Sequence, residues 1–193
     1  MARTPSTMLA LGTSAPGFRL PDYDGSVHAL EDFRAAPALL VAFICNHCPF
    51  VQHVRGGFAA FAREYAPRGL AVVAINSNDL DRYPQDGPDA MRQEATEQGY
   101  AFPYLVDASQ AVAKAYRAAC TPDFFLFDAQ RRLVYRGQFD ESRPGNGKPV
   151  TGADLRAAVE ATLTGRSPAA EQFPSLGCNI KWKKGNEPDY AAG

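Results

Sequence analysis

The chain lacks any apolar run near the roughly 20 residues of a membrane span, and its amino-terminal stretch Met8-Leu9-Ala10-Leu11 is too short for a signal-peptide core. It also lacks a dominant charge. Its 20 Lys and Arg stand against 21 Asp and Glu, a net charge of −1 that leaves no basic footprint for nucleic acid. Cysteine is scarce, with four in 193 residues, and no internal repeat or low-complexity tract is visible. A chain of this length buries enough surface to fold without disulfides. These absences predict a cytoplasmic protein with no membrane or nucleic-acid partner, in a compartment that keeps thiols reduced. A close cysteine pair there is catalytic or metal-binding rather than structural.

One such pair is present. Cys45-Asn46-His47-Cys48 closes the apolar run Leu39–Ile44 and precedes Pro49-Phe50-Val51, where a helical pattern begins. A strand ending there delivers Cys45 to the carboxyl edge of a sheet, and the following helix turns its free amides toward the sulfur. A helix terminus stabilises an anion by about 0.3–1 kcal/mol. A protonated His47 about 5 Å away contributes about 3 kcal/mol at an effective dielectric near 20. His47 is thus the larger lever, and the two together predict a Cys45 pKa near 6, down from about 8.5. Pro49 fits the first turn of a helix. A zinc site would need a second close pair, and Cys120 and Cys178 stand apart, with His53 the nearest other candidate.

Taken in order, residues 1–15 read as a loose leader. Two short alternating runs around Asp24-Gly25 predict a hairpin. Leu39–Ile44 and Leu70–Asn76 read as strands buried on both faces. Phe50, Val51, Val54, Phe58 and Phe61 form a helical stripe, interrupted at Gly56-Gly57 by a kink or a close helix-to-sheet approach. Residues 81–88 are a polar loop, and a helix opens at Pro88 and stops at Gly99. A short strand at 102–107 and a short helix at 109–117 follow. Pro122 then precedes a hairpin of Phe124–Asp128 and Leu133–Gln138. A last helix carrying Leu155, Val159 and Leu163 ends at Gly165. The expected domain is 1–165. Residues 166–193, with Phe173, Trp182 and Tyr190, form a tail packed on it.

This order of elements resembles the thioredoxin-like fold, an α/β three-layer arrangement with a mixed central sheet flanked by helices. The amino-terminal hairpin and the strand-helix insert at about 78–118 resemble its redoxin and peroxiredoxin branch. The strings Cys45–Val51, Cys120–Asp128 and Gly177–Trp182 are similar to an uncharacterised bacterial group within it. The resemblance implies Cys45 as attacking thiol, Cys48 as resolving thiol and Pro122 as a cis-proline facing them. It implies Thr121 and Asn46 on the substrate side, with Thr121 offering its backbone to an extended substrate. His47 stands where protein disulfide isomerase has a histidine, which implies a pair more oxidising than thioredoxin's. Leu39 stands where thioredoxin has a buried Asp, and Ile44 where it has a Trp.

The resulting expectation is a thiol-disulfide oxidoreductase needing no cofactor and no metal. Its substrate is a protein or small-molecule disulfide, and its partner a thiol reductant or reductase. A thiol peroxidase is the second reading, although Ala42 and Ala38 occupy the positions where peroxiredoxins carry Thr and Pro. A copper or zinc carrier using Cys45, Cys48 and His53 is the third. Cys120 and Cys178 are candidate accessory thiols. Cys178 is a small buried hydrophobe unless Ile180 and Trp182 dock the tail beside the redox loop, where it would be a third thiol facing Cys45, Cys48 or Cys120.

Overall fold

Every second residue of a strand faces the same side of its sheet, and here both sides are covered. The computed structural model describes residues 3–191. In chain order its elements are β1 (Arg3–Pro5), β2 (Arg19–Pro21), β3 (Val27–Ala29), β4 (Ala38–Phe43), α1 (Pro49–Tyr65), β5 (Leu70–Asn76), α2 (Pro88–Gln98), β6 (Tyr104–Val106), α3 (Ala111–Ala115), β7 (Cys120–Thr121), β8 (Asp123–Phe127), β9 (Leu133–Gly137), α4 (Ala153–Leu163) and β10 (Leu176–Asn179). The central sheet runs β6-β5-β4-β8-β9. Its first two pairings are parallel and its last two antiparallel. This is the mixed sheet of an α/β thioredoxin-like fold.

The unbroken apolar runs have a direct cause. Leu40, Ala42, Val72, Ala74, Phe124 and Leu126 face a core layer shared with Phe58 and Phe61 of α1 and Leu155 and Val159 of α4. The alternate residues Leu39, Val41, Phe43, Val73, Ile75 and Phe125 face a second layer with Val112 and Ala113 of α3. Ile180 and Trp182, from beyond β10, are buried in that second layer. Among the described residues no helix is long and apolar enough to cross a membrane.

Local signals place most boundaries well. Pro49 opens α1, Pro88 opens α2, and Gly99 ends α2 in the left-handed conformation. Two expectations need correction. The glycine pair does not interrupt α1, and the close approach at Gly57 is to Val150 and Phe139 rather than to the sheet. Nor is the leader loose. β1 pairs with β10, β10 pairs with β7, and a three-stranded antiparallel sheet results. Strands of two to four residues carry too little periodicity to announce themselves, and their partners lie at opposite ends of the chain.

The packing sets opposite expectations for two glycines. A Cβ on Gly177 would lie 2.0 Å from the Thr121 carbonyl oxygen, so Gly177→Ala should lower stability by about 1–3 kcal/mol, as overpacking does. Gly56→Ala meets only the Gln98 amide oxygen at 3.8 Å and should raise stability by up to about 1 kcal/mol through helix propensity; urea unfolding midpoints check both. Separately, burial raises the Asp123 carboxyl to about 7, above its unfolded value near 3.9. A raised folded pKa means that this group's stabilisation is complete below pH ~4 and is lost as the pH rises through ~7. Relative to Asp123→Asn, the parent should therefore lose about 2–3 kcal/mol between pH 5 and 7, read from unfolding curves at each pH.

Candidate active site

Three segments meet at the carboxyl end of β4. The first is the loop 44–48. The backbone of Ile44 still donates to Ile75, and Cys48 is the N-cap of α1 with Pro49 in its first turn. The second is β7 with the cis Thr121–Pro122 peptide. Cys45 Sγ lies 3.4 Å from Thr121 Oγ1, and the Cys48 thiol donates to the Thr121 carbonyl at 3.1 Å. The third is β10, where Cys178 faces Thr121 in the ladder.

The candidate thiols and their expected neighbours therefore separate into two groups. Cys45, Cys48 and Cys178 come together on Thr121, against its hydroxyl, its carbonyl and its ladder position respectively, and the Cys48 thiol feels both of the others. Cys120 does not join them. Strand alternation turns it to the other face, where its sulfur lies 3.7 Å from the Pro122 carbonyl and burial pushes its thiol up.

A residue that sequence reasoning missed holds the loop between Cys45 and Cys48. Asp86 is fully buried. One of its oxygens accepts from the Asn46 amide at 2.9 Å and the His47 amide at 3.1 Å. The other accepts from His47 Nδ1 at 2.6 Å and Asn78 Nδ2 at 2.8 Å. A carboxylate has about four acceptor sites, so this one is saturated. Asn46 is further held by the Tyr104 hydroxyl at 3.0 Å, and the His47 ring stacks on Tyr83. Asp86 lies in the stretch Pro84-Gln85-Asp86-Gly87-Pro88. An acid framed by two prolines was the available signal, but nothing local names its partners.

This geometry corrects the electrostatic expectation. Cys45 is not an exposed, helix-capping thiol; it is 2% exposed and Cys48 is wholly buried. His47 is not an unopposed cation beside it, because Asp86 takes up its ring nitrogen. The bond with Cys48, burial and the Asp86 carboxylate hold the Cys45 thiol above its ordinary value. The Cys48 thiol is pulled down by bonds from Cys178 and Cys45 and by the start of α1. The two directions are opposite because the thiols are coupled. They titrate as one unit.

Cys45 Sγ, a His47 nitrogen and an Asp86 oxygen lie within 4.8 Å of one another, a spacing compatible with a metal ion. His53 is not in that group. Binding there would cost Asp86 its hydrogen bonds to His47 and Asn78 and release the loop, so the donor set is committed to structure. Thr121 also departs from expectation. Its ladder edge is occupied by Cys178 of β10, so an extended substrate meets no open strand there.

The crystal structure of a hypothetical protein from Sinorhizobium meliloti 1021 superposes with a TM-score of 0.93 at 59% identity, covering 94% of this chain and 100% of that one. A Mycobacterium tuberculosis protein named as a peroxiredoxin is 29% identical over 115 residues, 60% of this chain and 68% of its own length. The thiol-disulfide oxidoreductase ResA of Geobacillus thermodenitrificans is 27% identical over 131 residues, 67% of this chain and 70% of its own. Residues 11–136, from the leader through β9, match the AhpC/TSA family model, and the chain belongs to that family of thiol-based redox proteins.

Proposed function

We propose that the protein is a thiol-disulfide oxidoreductase in which Cys45 and Cys48 form the dithiol-disulfide couple. One observation carries the reading: at the start of α1 both sulfurs meet on the same residue, Cys45 Sγ 3.4 Å from the Thr121 hydroxyl and the Cys48 thiol donating to the Thr121 carbonyl at 3.1 Å. Cys48 is buried behind Cys45, pinned by the Thr121 carbonyl and by Cys178. Cys45 Sγ lies against the Thr121 hydroxyl at 3.4 Å.

In the forward direction Cys45 gives up its proton, and the Cys45 thiolate attacks one sulfur of a substrate disulfide. A mixed disulfide forms and the other substrate sulfur leaves as a thiolate, taking up a proton. Cys48 then attacks Cys45 Sγ, the Cys45–Cys48 bond forms, and the second substrate thiol departs. Two electrons have moved from the protein to the substrate. An external thiol reductant restores the pair. Because β10 occupies the Thr121 edge, a small-molecule disulfide is the favoured substrate class. An open polar groove of about 270 Å³ beside Asn46, His47, Gln52 and Arg55 offers its approach.

A peroxidase reading has less support. Ala38 and Ala42 lie inside β4 and bring no polar group to Cys45; the hydroxyl beside that thiol comes from Thr121 instead.

Cys48→Ser should accumulate a mixed disulfide on Cys45, visible by intact mass, whereas Cys45→Ser should accumulate none and lose exchange activity by at least about a hundredfold, on the order of a lost nucleophile. A Cys45→Ser protein as active as the parent would sink the assignment. Removing the His47 ring takes a hydrogen-bond partner from the Asp86 carboxylate, whose charge raises the Cys45 thiol. His47→Ala is therefore expected to shift the pH profile of Cys45 alkylation upward by about one to two units, and an unmoved profile would show that His47 acts on the loop alone.

A further inference from the structure

The dithiol reading uses two of the three sulfurs that meet at this site. The third arrives on a strand locked from both sides, with Cys178 facing Arg3 of β1 and Thr121 of β7. The close approach of Gly177 to the Thr121 carbonyl brings that strand in. Cys178 is buried, and its thiol is hydrogen-bonded to Cys48. Cys48 is therefore the middle sulfur of three, in the same kind of contact with Cys178 as with Cys45. Cys48 and Cys178 meet on the same residue, Cys48 donating to the Thr121 carbonyl at 3.1 Å and Cys178 standing opposite Thr121 in the ladder.

We propose that Cys178 is a third redox thiol, which takes over Cys48 from the Cys45–Cys48 disulfide by internal exchange. This rests on the dithiol reading. Cys178 sulfur attacks Cys48 sulfur, the Cys48–Cys178 bond forms, the Cys45–Cys48 bond breaks, and the proton released by Cys178 goes to Cys45. The step is an isomerisation that needs no further oxidant. Its product carries Cys45 again as a thiol, with the oxidising equivalent stored between α1 and β10 until an external thiol reduces it. The hydrogen bond to Cys48 is the largest cause holding the Cys178 thiol up. That cause disappears once Cys48 is bonded to Cys45, while the Lys181 ammonium continues to favour the Cys178 thiolate.

The full chain, oxidised with one equivalent of diamide, should be acid-quenched at intervals, alkylated and peptide-mapped. Diamide takes up the two electrons and two protons. The expected record is a Cys45–Cys48 bridge first, then a Cys48–Cys178 bridge growing at its expense. Cys45→Ser under the same oxidant should yield the Cys48–Cys178 bridge directly. Cys178→Ala should lose that bridge and slow steady-state turnover with a dithiol reductant several-fold. Wild-type protein that holds only the Cys45–Cys48 bridge at equilibrium would overturn the proposal, whether or not the alanine variant folds. Exchange activity surviving in Cys45→Ser would sink the dithiol reading instead. The bridge map is read by mass, so the two failures are distinct.

Discussion

A single buried carboxylate holds the loop between Cys45 and Cys48 in place. Asp86 has no access to water, so each of its lone pairs must find a donor inside the protein. The four donors it finds come from Asn46, from the amide and ring of His47, and from Asn78. Three of these belong to the segment between the two cysteines. The shape of that segment, and with it the distance between the sulfurs, is set from the loop before α2. Loss of one donor would leave a charged group partly unsatisfied in the interior, and that cost keeps the loop in one conformation.

The same network reaches the tail. Asn78 donates to Asp86 and accepts from the Lys181 amide at 2.8 Å, while the Lys181 carbonyl accepts from the Asp79 amide at 2.8 Å. Ile180 and Trp182 bury their side chains on the sheet face opposite α1. β10 is thus seated by apolar burial on one side and by hydrogen bonds on the other. Its position against Thr121 belongs to the fold and closes the edge that an extended substrate would use.

Burial and charge act in opposition on the thiols. Removing sulfur from water disfavours the thiolate, and the Asp86 carboxylate adds to that at Cys45. The start of α1 and the neighbouring thiols favour the anion at Cys48. The two thiols of the pair are therefore shifted in opposite directions by their surroundings.

Sequence alone determined the features that depend on neighbours along the chain. The double-sided apolar runs of β4 and β5 specify buried strands because their alternate residues face two dry layers. Pro49 and Pro88 open helices because a first-turn residue donates no helical hydrogen bond. Cys45 and Cys48 stand at a strand-to-helix junction because the periodicity changes there. Tertiary structure alone decided which groups surround those thiols. Asp86 lies 39 residues from His47, and nothing in its own loop distinguishes it from a solvated acid. β1, β7 and β10 are too short to carry a pattern, yet their pairing brings Cys178 to Cys48 and turns Cys120 away. Spacing encodes local hydrogen bonding and burial, whereas the charge a thiol feels depends on groups that only the closed fold brings near it.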